Sequence, residues 1–174
     1  MTKNIPCLTR SSLNALTEAT RQSSTRRPWT TGTLHLLIGL SAQSDSIAGC
    51  ILRTHEVSAA NMWAAIDYWY APSPRLIGRY LTPSWTKASR LVVERSLAAC
   101  ESRGGRNIDT GDLLCAIMSD EGSRAVKLLE RAGLDTETLL LEVKVVRETS
   151  QEGPGIRPIP EMRKARPISM KPVS

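Results

Sequence analysis

The 174-residue chain has no phenylalanine and only two histidines, His35 and His55. Its core must therefore rest on Leu, Ile, Val and Ala, helped by a few Trp. Neither histidine sits in a Cys/His/Asp/Glu cluster at metal-ligand spacing, so no metal site is implied. The four cysteines, Cys7, Cys50, Cys100 and Cys115, form no C-x-x-C pair. They read as free thiols, three of them within apolar helical patterns. No apolar run approaches the roughly 18–20 residues that span a bilayer. The first residues, Met1 to Pro6, lack the apolar stretch of a leader peptide. A soluble, cytoplasmic protein without a membrane partner is expected. No Gly-Lys pair occurs, so a phosphate-cradling P-loop cannot be built. A G-x-S-x-G nucleophile elbow is also missing. These absences point to a chain without catalytic residues or cofactor.

What is present is a strongly basic balance, and its placement matters. The net charge is +6. Residues 1–30 hold five basic side chains against one acidic, and residues 151–174 hold five against two. The central stretch between them carries 13 basic and 14 acidic residues. A nucleic-acid-binding fold carries its basic stripe on the structured face, so the near-neutral centre counts against that class. The basic termini keep weak nucleic-acid binding as an alternative.

Caps and prolines divide the chain into helices. Leu8-Thr9 opens a first helix, with Thr9 as N-cap, that stops before Pro28. A second covers Thr33–Ala42. A third follows the cap candidates Ser44 and Asp45, and a fourth follows Ser58 with Met62, Ile66 and Trp69 at helical spacing. Residues 71–80 hold two prolines and a glycine and read as a linker. The order then recurs. Thr82-Pro83 reads as a helix start, with Thr at N-cap and Pro at N1. Gly104-Gly105 ends that helix, Asp109 or Thr110 caps the next, and a further helix over Ser123–Ala132 ends at Gly133. Asp135 caps the last. The final segment, residues 150–174, contains five prolines and no hydrophobic period, and is expected to be disordered or extended.

This recurrence is an internal duplication. An offset of 77 residues lays Thr33 on Thr110, Leu36 on Leu113, Leu37 on Leu114, Ala48 on Ala125 and Leu52 on Leu129. At the front, Leu8-Thr9 falls on Leu81-Thr82 with an offset of 73, which implies four extra residues in the second copy. The expected organisation is an arm over 1–7, repeats over 8–70 and 81–149, the linker, and the tail. The fold class is all-α, two four-helix repeats, each burying its apolar face against the other.

Thr31-Gly-Thr-Leu-His-Leu-Leu-Ile-Gly-Leu40 resembles the G-T-E-H-L-L-L-G-L signature of the Clp amino-terminal domain, which stands twice in tandem at the front of Clp unfoldases. Ile47-Ala-Gly-Cys-Ile-Leu52 with Val57 is similar to that family's next segment. Ala125-Val-Lys-Leu-Leu129 and Gly133-Leu-Asp135 match it in the second copy. The resemblance covers Leu8–Val146. It implies an eight-helix, pseudo-twofold domain without catalytic residues that receives substrates and adaptors. Its partners would be Clp unfoldase or protease subunits, or their substrates and adaptors. Standalone versions act as regulators.

The resemblance also picks out positions. The signature glutamate, which in some members holds the guanidinium of phosphoarginine, is replaced by Leu34 and Gly111. Neither offers a carboxylate to a cation. The threonines at the helix starts are Thr9 and Thr82, which also serve as caps. Arg26, Arg27 and Trp29 form a second candidate contact patch. Glu56 stands where the second copy has Gly133. A glutamate is disfavoured in left-handed backbone, so that corner is expected to differ between the copies.

Overall fold

The computed structural model describes residues 7–25, 30–69, 83–149 and 157–158. In the first half, β1 (Cys7–Leu8) leads into α1 (Arg10–Thr25) and β2 (Thr30–Thr31) into α2 (Thr33–Ser41). Then come α3 (Ile47–Thr54) and α4 (Ala59–Trp69). The second half repeats this order as β3 (Ser84–Trp85), α5 (Lys87–Ser102), β4 (Asn107–Ile108), α6 (Thr110–Met118), α7 (Arg124–Arg131) and α8 (Thr136–Thr149). A last strand, β5 (Arg157–Pro158), follows. The chain thus has the duplicated, eight-helix architecture anticipated from its sequence. No helix among the described residues is long and apolar enough to cross a membrane.

One offset of 77 residues relates all the paired elements. It carries Arg10 onto Lys87, Thr30 onto Asn107, Thr33 onto Thr110, Ile47 onto Arg124 and Ala59 onto Thr136. The four-residue insertion expected in the second copy does not exist. Thr86 Oγ1, not Thr82, caps α5 by accepting from the Ser89 N–H at 3.1 Å. Thr9 Oγ1 does the same for Ser12 at 3.2 Å. Thr-Pro suits a helix start, but proline's fixed φ suits extended backbone equally. Here the tertiary pairing decides, because Ser84 and Trp85 form a strand beside Thr30 and Thr31.

The short strands tie the halves together. β1 pairs in parallel with β4, and β3 pairs in parallel with β2, so each half lends its leading strand to the other. The Thr9 N–H donates to Ile108 O at 3.0 Å, and its counterpart Thr86 N–H donates to Thr31 O at 3.1 Å. β5 lies antiparallel on β1, giving the order β4-β1-β5.

α2 and α6 form the centre. Every residue from Leu34 to Leu40 is buried, as is nearly all of α6. A helix that is apolar all round has to be enclosed on all sides. α1 crosses α2 at Gly39, where an added Cβ would lie 2.0 Å from Ala15 O. The counterpart of Gly39 is Ala116, buried against the same core, so α5 and α6 stand far enough apart for a methyl group.

Two local expectations need correction. α3 is capped by Ser46, whose Oγ accepts from Gly49 N–H at 3.0 Å, and not by Ser44 or Asp45. Those two are exposed and Ser44 Oγ donates to the Asp45 carboxylate instead. The corner at Glu56 is built like its counterpart. Glu56 has φ +56° and Gly133 φ +81°. Both are followed by the same closing bond, Val57 N–H to Leu52 O at 2.8 Å and Leu134 N–H to Leu129 O at 3.0 Å. Burial of Val57 and Leu134 holds the corner against the glutamate's preference. The linker over 71–80 and the tail, apart from Arg157 and Pro158, lie outside the described residues.

Candidate functional site

The pseudo-twofold axis gives the molecule two equivalent places, one in each half. They are built differently. Beside the N-terminus of α2 lies an open cavity of about 330 Å³. Its walls include Thr33, Leu34 and His35 from α2, Thr86 and Ala88 from the start of α5, and Asp120, Ser123 and Arg124 from the entry to α7.

The local sequence explains this wall. Gly32 opens α2 with extended backbone but has no side chain to cap it. His35 compensates, and its Nδ1 accepts from the Gly32 N–H at 3.2 Å. That bond places the proton on Nε2. His35 is 2% exposed, and burial pushes its imidazole down to about 4, so the ring is neutral. Its Nε2 has no hydrogen-bond partner among the described residues. The ring meets Trp63 edge to face, with centroids 5.8 Å apart. The cavity is thus lined by hydroxyls, a neutral imidazole and an apolar patch, with one acid and one base at its edge.

In the second half, the 77-residue offset puts Asp109 at Gly32, Gly111 at Leu34 and Asp112 at His35. Asp109 and Asp112 form a reciprocal capping box, with Asp112 N–H on Asp109 Oδ1 at 2.8 Å and Asp109 N–H on Asp112 Oδ2 at 3.1 Å. Two arginines close over them. Arg147 from α8 donates Nε to Asp109 Oδ2 at 2.7 Å and Nη2 to Asp109 Oδ1 at 2.8 Å and Asp112 Oδ1 at 3.0 Å. Arg103 donates Nε to Asp112 Oδ1 at 3.1 Å and Nη2 to its other oxygen at 2.5 Å. The Asp112 bond and the neighbouring carboxylates push the Arg103 guanidinium further into its charged range. A Cβ at Gly111 would lie 2.9 Å from Val143, 3.0 Å from Ile47 and 3.1 Å from Arg147 Nη2. Side chains of the chain itself therefore fill this place in the second half, whereas the described residues leave its first-half counterpart open.

The residues singled out from the sequence divide between these places. Leu34 lines the open cavity, although only 3% of it is exposed. Gly111 sits in the filled counterpart. Thr9 is buried, with its hydroxyl bonded to Ser12 Oγ at 2.9 Å, which makes it a cap. Thr86, its counterpart, reaches the cavity. Thr82, Arg26, Arg27 and Trp29 lie outside the described residues. Sequence reasoning missed Arg103 and Arg147. The Asp109-x-x-Asp112 spacing was the available signal, because two carboxylates brought together at one helix start repel each other and a cation beside them relieves that repulsion. Among the described residues, no three His, Cys, Asp or Glu side chains are placed to hold a metal ion. Burial pushes the Cys115 thiol up to about 11, which keeps it protonated and unreactive.

The family model of the Clp repeat (R) N-terminal domain matches residues 7–132. The N-terminal domain of the ClpD chaperone from Arabidopsis thaliana is 13% identical, with a TM-score of 0.64 over 85% of this chain and 97% of that one. The N-terminal domain of the ClpV1 ATPase from E. coli is 19% identical, with a TM-score of 0.63 over 84% and 90%. A ClpV N-domain in complex with a VipB peptide is 16% identical, with a TM-score of 0.64 over 86% and 92%. No curated protein matches the chain.

Proposed function

Since the chain belongs to the Clp repeat (R) N-terminal domain family, we propose that it is a non-catalytic adaptor or regulator of a cytoplasmic Clp chaperone–protease. It recognises a substrate or another adaptor and brings it to the unfoldase. The observation that carries this reading is the open cavity at Leu34, His35 and Thr86, which the described residues leave unfilled while they fill its counterpart at Gly111. A structural neighbour holds a VipB peptide, and peptide binding by a domain of this shape supports a protein ligand here. The cavity's hydroxyl and imidazole lining suits an uncharged or mixed segment. With Leu34 in place of a carboxylate, the start of α2 itself offers no partner to a guanidinium.

The test is affinity capture from the native cytoplasm, with the intact chain and with Ala88→Trp as baits. Ala88 lines the cavity and is half-buried, so an indole there fills the space. Clp subunits or their clients are expected with the intact chain and should be lost with the variant. Equal capture by both baits would refute the cavity as the site.

A second reading has a specific observation behind it. Arg147 and Val143 close the second place, and this suits a scaffold turned to a different assembly with a single ligand. Capture of a complex without Clp components, still sensitive to Ala88→Trp, would favour it.

A further inference from the structure

The 77-residue offset makes β3 the counterpart of β1 and β2 the counterpart of β4. The two sheets nevertheless differ. β1 has β4 on one side and β5 on the other, whereas β3 pairs with β2 alone among the described residues. In β5, Arg157 pairs with Leu8 and Pro158 with Cys7, in antiparallel register. The residue equivalent to Leu8 is Trp85, which is half-buried. Its carbonyl accepts from Arg90 Nη1 at 3.1 Å. The counterpart of Arg90 is Leu13, which has no such donor to offer. At the β3 edge, then, a side chain bonds the carbonyl of the residue equivalent to the one that pairs with β5.

The edge also adjoins the open cavity, because Thr86, next to Trp85, forms part of that wall. A strand edge with no further strand beside it among the described residues, next to a pocket, is the arrangement that binds extended peptides by strand addition. The chain itself shows what suits such an edge. Arg157-Pro158 is a basic residue followed by proline, and proline is tolerated on the outermost strand because its missing N–H can face away from the ladder. Asp120, another residue of the cavity wall, offers a carboxylate to a basic side chain that enters the cavity.

We infer that the edge of β3 binds an extended segment of a partner protein with a basic–proline–aliphatic sequence, antiparallel to Ser84–Trp85, as Arg157–Pro158 binds β1. This rests on the proposed function and names its ligand. The segment displaces Arg90 from the Trp85 carbonyl and then runs over the cavity.

The test uses the full-length, 15N-labelled chain and a capped synthetic peptide, Gly-Ile-Arg-Pro-Ile-Pro, the sequence of residues 155–160. Saturating peptide is expected to slow hydrogen exchange of the Trp85 amide by roughly tenfold or more. N-methylation of the peptide arginine, which removes one backbone donor and leaves every side chain, should abolish binding. Arg90→Leu, which installs the residue found at Leu13, should tighten binding by about fivefold, the weight of one hydrogen bond. An unprotected Trp85 amide, or equal binding of the N-methylated peptide, would overturn the inference. Shifts confined to Leu34, His35 and Ser123 would also overturn it while leaving the cavity as a protein-binding site. A Trp85 amide already protected in the free chain would assign the edge to another occupant. If that protection is lost on deleting residues 159–174, the occupant is the chain's own Arg166-Pro167-Ile168. If it appears only on concentration, the occupant is a second copy.

Discussion

Gly39→Ala should be among the most damaging single-methyl changes in this protein. The added Cβ would lie 2.0 Å from Ala15 O, 2.9 Å from Ala15 C and 3.1 Å from Ala19 N. All three are backbone atoms of α1, so no side chain can rotate away. Reaching ordinary contact near 3.4 Å requires the two helices to part by roughly 1.4 Å. A gap of about 1 Å already forfeits up to half of each dispersion contact. The contacts at risk join Ala15, Leu16 and Ala19 to the buried face of α2. Alanine also returns about 1 kcal/mol of helix propensity over glycine. Overpacking of this severity costs about 4 kcal/mol, so the net loss is about 3 kcal/mol, or a fall in Tm of roughly 10 °C. The control is Ala116→Gly at the equivalent point of α6. It removes a buried methyl and helix propensity, and costs about 1–2 kcal/mol without forcing helices apart. Urea unfolding followed by circular dichroism measures both. If Gly39→Ala proves neutral, or milder than Ala116→Gly, the close α1–α2 crossing is wrong.

Three further outcomes follow from the two halves. Glu56→Gly should stabilise the fold by about 0.5–1 kcal/mol, because relief of left-handed strain outweighs glycine's entropy cost; thermal melts would show it, and a fall in Tm would contradict the shared corner. His35 has a folded pKa of about 4, below its ordinary value of 6.5, so the unfolded chain takes up the proton first. Its contribution is complete above pH 6.5 and is lost as pH falls through 4, about 3 kcal/mol in all; stability measured from pH 4 to 7 should slope less in His35→Gln, and equal slopes would refute the buried neutral ring. Arg147→Met should cost about 2–3 kcal/mol, since it removes one of two guanidinium groups from a buried carboxylate pair; Arg147→Lys, with one point charge in place of a fork, should recover only part of that in the same denaturation assay.

The duplication was legible because core and cap positions recur at a fixed spacing, and helix geometry ties that spacing to burial. Where the sequence misled, a residue satisfied two local rules at once. Thr82-Pro83 and Ser44-Asp45 both suit a helix start, yet strand pairing at Ser84–Trp85 and the Ser46 cap won through long-range contacts and burial. Glu56 broke a local rule, and the burial of Val57 overrode it. The candidate site was only partly legible. Leu34 and Gly111 were marked as altered positions, but nothing in their own identity says that one faces a cavity and the other is covered. The side chains that cover Gly111, Arg147 and Val143, stand on α8 more than 30 residues away in sequence, so no local pattern announces them.

The central claim is that ligand binding belongs to the open half and not to its filled counterpart. Amide chemical-shift mapping of the 15N-labelled chain, titrated with a captured partner, tests it most directly. The predicted result is a perturbation centred on residues 30–35, 86–88 and 120–124, with Gly111 and Arg147 unmoved. Shifts centred on Gly111, Asp112 and Arg147 instead would mean that the partner displaces the internal arginine, and that the open cavity is not where this protein works.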